Sequence, residues 1–79
     1  MTISETETAI NKLVGINIMN KRKKLGYSGQ FLADCIGVSQ QQLSRYERGN
    51  SRISVEMLFK VSVILKEPIS YFLISEPIH

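Results

Sequence analysis

The sequence predicts an all-α domain of five short helices, on three observations. Apolar residues recur at helical spacing, Ser28, Ser39 and Ser54 stand as N-cap candidates, and Gly26, Gly37 and Gly49 are placed to end segments. Seventy-nine residues with 43% apolar content suffice for one compact core but not for two.

Residues 1–8, MTISETET, are polar and acidic without apolar periodicity, so a flexible arm is expected there. The domain proper is then 9–74. Residues 75–79, with Pro77 and the lone His79, are expected to form a mobile tail. Helix one is expected from Ala9 to about Leu25, with Ile10, Val14, Ile18 and Leu25 at helical spacing. Its last turn holds Lys21, Arg22, Lys23 and Lys24, which suit the negative end of the helix dipole and are equally able to face phosphate. Ser28 is positioned to cap a second helix from about Gly29 to Ile36, with Leu32, Ala33 and Ile36 inward. Cys35 is the only cysteine, which excludes an intramolecular disulfide, and beside Ile36 it reads as a small buried hydrophobe. After Gly37, Ser39 caps helix three, and Gln42 completes a capping box. Helix four is expected from about Val55 to Leu65 behind Ser54, with Leu58, Val61, Ser62 and Leu65 inward. A fifth helix is expected from Pro68 through about Leu73, directing Ile69 and Phe72 into the core.

Function concentrates in Ser39 to Gly49, SQQQLSRYERG. Leu43 and Tyr46 fall on one side of helix three, while Gln40, Gln41, Ser44, Arg45 and Arg48 share the other. An ordinary solvated face holds the same residue types, so the context decides. Two capped helices joined by a short turn containing Gly37, with small Ala33 where they approach, form a helix-turn-helix pattern whose second helix enters the DNA major groove. Gln pairs bidentately with adenine and Arg with guanine, so Gln40, Gln41 and Arg45 are the candidate base readers, with Ser44 able to contact base or phosphate. Arg48, Arg52 and the backbone around Asn50 and Ser51 follow on the same side and are the candidate phosphate contacts. From Lys12 to Arg52 there are eight basic residues against Asp34 and Glu47, a net of +6, while the remainder is acidic by three. A basic middle between acidic ends suits a protein that lays one surface on a polyanion. Asp34, Glu47, Tyr27, Tyr46 and Cys35, with no internal histidine, offer no convergent acid, base or nucleophile set, and no metal-ligand cluster or phosphate loop is present. No enzyme activity, metal or cofactor is therefore expected. Neither a signal peptide nor a run of ~18 apolar residues occurs, which points to the cytoplasm and away from membrane.

From Val14 to Leu73 the chain resembles the Cro and phage-repressor (XRE) type of helix-turn-helix domain, a lambda-repressor-like bundle of five helices. Gly15, Ile18, Arg22, Leu25-Gly26, Leu32-Ala33, Gly37-Val38-Ser39, Leu43-Ser44, Glu47, Gly49, Leu58, Val61-Ser62 and Leu65 carry the resemblance. SQQQLSRYERG is further similar to the signature of the MrpJ-like regulators encoded with fimbrial operons, which implies transcriptional control of fimbrial and motility genes. The family usually has Gln where this chain has Gly29, leaving Gln30 as the substitute phosphate contact; Ile53 replaces a common Pro and Met19 a common basic residue. The resemblance also implies an ion pair between Arg22 and Glu47. Proteins of this type bind as dimers, and Phe59, Val63, Ile64, Tyr71, Leu73 and Ile74 offer more apolar surface than five short helices can bury, so they are the candidate homodimer interface. The alternatives are an antitoxin, whose surface occupies a toxin partner, and a phage-type repressor or restriction-modification controller.

Overall fold

The computed structural model describes residues 3–75, with side chains from Glu5. Four α-helices and one 3-10 helix follow in order: α1 Ile3–Lys24, α2 Gly29–Ile36, α3 Gln40–Glu47, α4 Val55–Leu65, and the 3-10 helix Ile69–Leu73. All described elements are helical. The fifth helix of the sequence expectation is thus a 3-10 helix, with Pro68 in extended conformation (ψ 158°) at its start. Five residues are too few to favour regular α geometry, and short terminal segments commonly take 3-10 form.

Three caps form where serine predicts them. The hydroxyls of Ser28, Ser39 and Ser54 accept from the amides of Phe31, Gln42 and Met57, each at 3.0 Å. Gly37 ends α2 at φ 79°, and its N–H donates to the Ala33 carbonyl at 2.9 Å. A left-handed residue there costs glycine nothing and turns the chain directly into α3.

α1 starts at Ile3, so residues 3–8 are helical and not the flexible arm expected of them. Their side chains from Glu5 to Ile10 are exposed, which explains why no apolar period marks them. Nothing in TISETETA breaks a helix, and Glu5 in the first turn favours the positive dipole end. Met1, Thr2 and the part of the tail from Glu76 to His79 lie outside the described residues.

The core holds Val14, Ile18, Leu32, Ala33, Ile36, Leu43, Leu58, Val61, Leu65, Tyr71 and Phe72. All four inward positions expected on α4 are buried, as are the three on α2. Two expectations fail. Ile10 is half exposed and lines a groove of about 300 Å³ with Val14, Ile53, Leu58 and Leu73. Cys35 is exposed, because it stands one residue off the Leu32/Ala33/Ile36 stripe.

Two buried polar groups bind the 3-10 helix to α1. Asn17, 4% exposed, donates its side-chain amide to the carbonyls of Phe72 (3.0 Å) and Ile74 (2.8 Å). Lys21 pairs with Glu67 at 2.9 Å and lies over the Tyr71 ring, 5.5 Å from its centre. Lys21 therefore works inside the fold, whereas Lys23 and Lys24 remain exposed.

Candidate nucleic-acid interface

α3 is presented by its inner residues. Leu43 is fully buried, and Ala33, also fully buried, allows the α2–α3 approach. With those anchors in the core, Gln40, Gln41, Arg45 and Arg48 are exposed and Ser44 half-buried. The far end of α3 is fixed against α1 by contact of backbones. A Cβ on Gly15 would sit 2.6 Å from the Glu47 carbonyl oxygen and against that of Tyr46. Gly49, at φ 75°, would place a Cβ 2.7 Å from the Lys12 Cα. Both positions require glycine for room, and Gly49 for its backbone angle as well.

Arg22 and Glu47 lock the same junction. The Nε of Arg22 donates to Glu47 Oε2 at 2.7 Å and a terminal nitrogen to Oε1 at 3.1 Å, while the other terminal nitrogen donates to the Tyr27 carbonyl at 2.9 Å. Only 12% and 8% of the two side chains is exposed, so the bidentate fork is largely desolvated. Its hydrogen bond to Glu47, opposed by burial and helped by the carboxylate charge, raises the Arg22 guanidinium above its ordinary value. A raised folded-state pKa gives stability that is complete below the unfolded value and lost only above it, so the arginine side of the pair is constant through neutral and mildly alkaline pH.

The loop after α3 folds back on that helix. Asn50 N–H donates to the Arg45 carbonyl at 2.9 Å, and Gln42 Nε2 donates to Ser51 Oγ at 3.3 Å. Gln42 therefore supplies only its backbone to the Ser39 cap. The reciprocal half of the expected capping box gives way to a link between the start of α3 and the loop.

This two-helix unit with its supporting bundle has counterparts among known proteins. The family model HTH_3, helix-turn-helix, matches residues 18–72. The chain belongs to the HTH_3 family. An uncharacterized transcriptional regulator in the ATPase CF(0) region of Rhodospirillum rubrum is 39% identical to it over 74 residues, 91% of this chain and 68% of that protein. An uncharacterized HTH-type transcriptional regulator of Sinorhizobium medicae is 36% identical over 64 residues, 81% of this chain and 46% of that protein, so the chain spans about half the length of that relative. Among solved structures, the clp gene regulator ClgR from Corynebacterium glutamicum superposes with TM-score 0.80 at 29% identity, covering 84% of this chain and 70% of ClgR. An HTH_3 family transcriptional regulator from Vibrio cholerae gives TM-score 0.79 at 28% identity over 90% of this chain and 40% of that one.

Within this HTH_3 domain the candidate phosphate contacts have intramolecular partners. Gln30 donates to Asp34 at 2.7 Å along α2, Ser51 accepts from Gln42, and Arg48 Nε reaches the Ser44 carbonyl at 3.4 Å. Arg52 bonds Glu7 at 2.9 Å. Asn50 is exposed. Gln40 packs over the bare Cα of Gly29, whose added Cβ would lie 3.4 Å from its amide nitrogen. Of the candidate dimer residues, Phe59, Val63, Leu73 and Ile74 are exposed and Ile64 is half-buried. Tyr71 is not available: it is 8% exposed, packed edge-on against Phe72 with ring centres 5.1 Å apart. As a residue of a 3-10 turn adjacent to Phe72, it follows a tighter period than the α-helix assumed for it.

Sequence alone gives no role to Glu7 or Asn17, and it assigns Lys21 to the helix dipole or phosphate and not to the buried pair it forms with Glu67. Val14, Asn17, Ile18 and Lys21 follow i, i+3, i+4, i+7, so both buried polar residues stood on the apolar stripe of α1 and the period could have identified them. No local signal marks Glu7. Among the described residues no cluster of three metal-ligating side chains occurs, and no described helix is long and apolar enough to cross a membrane.

Proposed function

We propose that this protein is a sequence-specific regulator of transcription that reads double-stranded DNA with the outer face of α3. The observation that carries this reading is the exposure of Gln40, Gln41 and Arg45 on a helix capped by Ser39 and anchored by buried Leu43. Those side chains have the donor and acceptor patterns that discriminate bases in the major groove. Arg48, Asn50, Ser51, Arg52 and Gln30 supply phosphate contacts, for which the side chains of Arg48, Ser51, Arg52 and Gln30 exchange their present partners. Operator sites are to be found by mapping bound sequences across the source genome. Arg45→Ala is then expected to lose about 1 to 3 kcal/mol at one operator position while binding to random duplex changes little. Equal losses on both would remove Arg45 from base reading.

A symmetric homodimer completes this function, because one helix covers only a few base pairs and two-fold proteins meet two-fold operators. Val55, Phe59 and Val63, spaced four residues apart along α4, are 77%, 57% and 59% exposed; Leu73, which lines a groove with Val55, and Ile74 are exposed as well. Phe59→Glu should convert a dimer to a monomer in sedimentation at micromolar concentration and abolish operator binding. A wild-type monomer whose operator lacks inverted half-sites would end the dimer proposal. The same stripe fits an antitoxin, and co-purification of a tightly bound, unrelated protein would favour that reading. A fimbrial operon, with motility genes beside it, is the narrower target we propose on the resemblance of SQQQLSRYERG alone. Occupancy of such promoters tests it.

A further inference from the structure

Glu7 and Arg52 are 45 residues apart in sequence and joined at 2.9 Å. Their side chains are 50% and 71% exposed, so the pair contributes little to folding. The first turns of α1, which carry Glu7, hold exposed side chains from Glu5 to Ile10 and add nothing to the fully buried core. The Glu7 carboxylate ties these turns to the arginine that follows α3. A guanidinium bound by a carboxylate must release it before it can pair fully with phosphate, and the carboxylate left behind repels the incoming phosphate.

We infer that Glu7 competes with DNA phosphate for Arg52, making the N-terminal turns of α1 a built-in brake on backbone binding. This rests on the reading that Arg52 faces the duplex. The brake acts on phosphate contact alone, so it weakens binding to all sequences and leaves base readout to α3. It also blunts salt dependence, since the freed carboxylate draws cations back as the phosphate sheds them.

The test titrates wild-type protein, Glu7→Gln, Arg52→Gln and the double variant against a random-sequence duplex of about 30 base pairs, long enough for roughly three helical turns, at several salt concentrations. Glu7→Gln should bind about two- to fivefold tighter than wild type, with a salt slope steeper by up to about 1, and the gain should vanish in the Arg52→Gln background. Thermal melts of all four chains should agree closely, because the pair is exposed. Unchanged or weaker binding by Glu7→Gln, or a gain that persists in full without Arg52, overturns the brake and leaves the DNA reading standing. Failure of wild type and every variant to bind the duplex overturns both.

Discussion

Gly15→Ala is expected to destabilise the protein by about 2 to 3 kcal/mol, which for a domain of this size lowers the melting temperature by roughly 10 to 20 °C. Two effects of opposite sign compete. Alanine in a helix interior is favoured over glycine by about 1 kcal/mol, so propensity alone predicts a gain. The added methyl, however, meets the Glu47 carbonyl oxygen at 2.6 Å and the Tyr46 carbonyl more closely still. Both obstacles are backbone and cannot rotate aside. α1 and α3 must separate, which also loosens the contact of Gly49 with Lys12. Gly29→Ala is the matched control, because its nearest neighbour, the Gln40 side chain at 3.4 Å, is free to yield. Its melting temperature should hold or rise slightly. A Gly15→Ala protein as stable as wild type would show that the helix crossing has slack the structure does not contain.

Breaking the Arg22–Glu47 pair from one side is expected to cost about 3 kcal/mol, measured by urea unfolding of Arg22→Met. That change leaves the Glu47 carboxylate, 8% exposed, without its bidentate partner. The Tyr27 carbonyl loses its donor too. Glu47→Leu leaves the guanidinium stranded, with a similar penalty. The double variant Arg22→Met/Glu47→Leu should recover much of the loss, since replacing both ions by apolar groups removes the desolvation cost along with the attraction. Additive losses would mean that the pair acts by shape and not by charge. Both single variants should also weaken specific DNA binding beyond what unfolding explains, because the pair joins the supporting helix to the end of the helix we propose as reader.

The sequence was legible wherever local chemistry decides the outcome. Three serine caps, the Gly37 turn and the inner faces of α2 and α4 follow from short-range hydrogen bonding and a 3.6-residue period, and they stand at the expected residues. Legibility failed where a distant partner decides. Helix extends back to Ile3 although no apolar residue signals it, since helicity there needs only the absence of breakers. Asn17 and Lys21 are buried because carbonyls of Phe72 and Ile74, the Glu67 carboxylate and the Tyr71 ring await them from the far end of the chain. Cys35 is exposed because its angular position on α2, and not its residue type, decides its burial. On α3, the side chains that the helical period assigns to the outer face, Gln40, Gln41, Arg45 and Arg48, are exposed. Sequence could not foresee that Gln30, Ser51 and Arg52 each hold a partner within the molecule.

The clamp of Asn17 on the 3-10 turn sets a schedule for biosynthesis. Asn17 and Phe72 are 55 residues apart, and at roughly 5 to 20 residues per second the ribosome takes about 3 to 11 seconds to supply the second after the first. Through that interval the amide of Asn17 and the ammonium of Lys21 have no native partners, and Val14 and Ile18 lack the cover of Phe72. Nascent α1 is therefore expected to keep its buried face hydrated until residues 69–74 are available, so that closure of the α1 side of the core comes last.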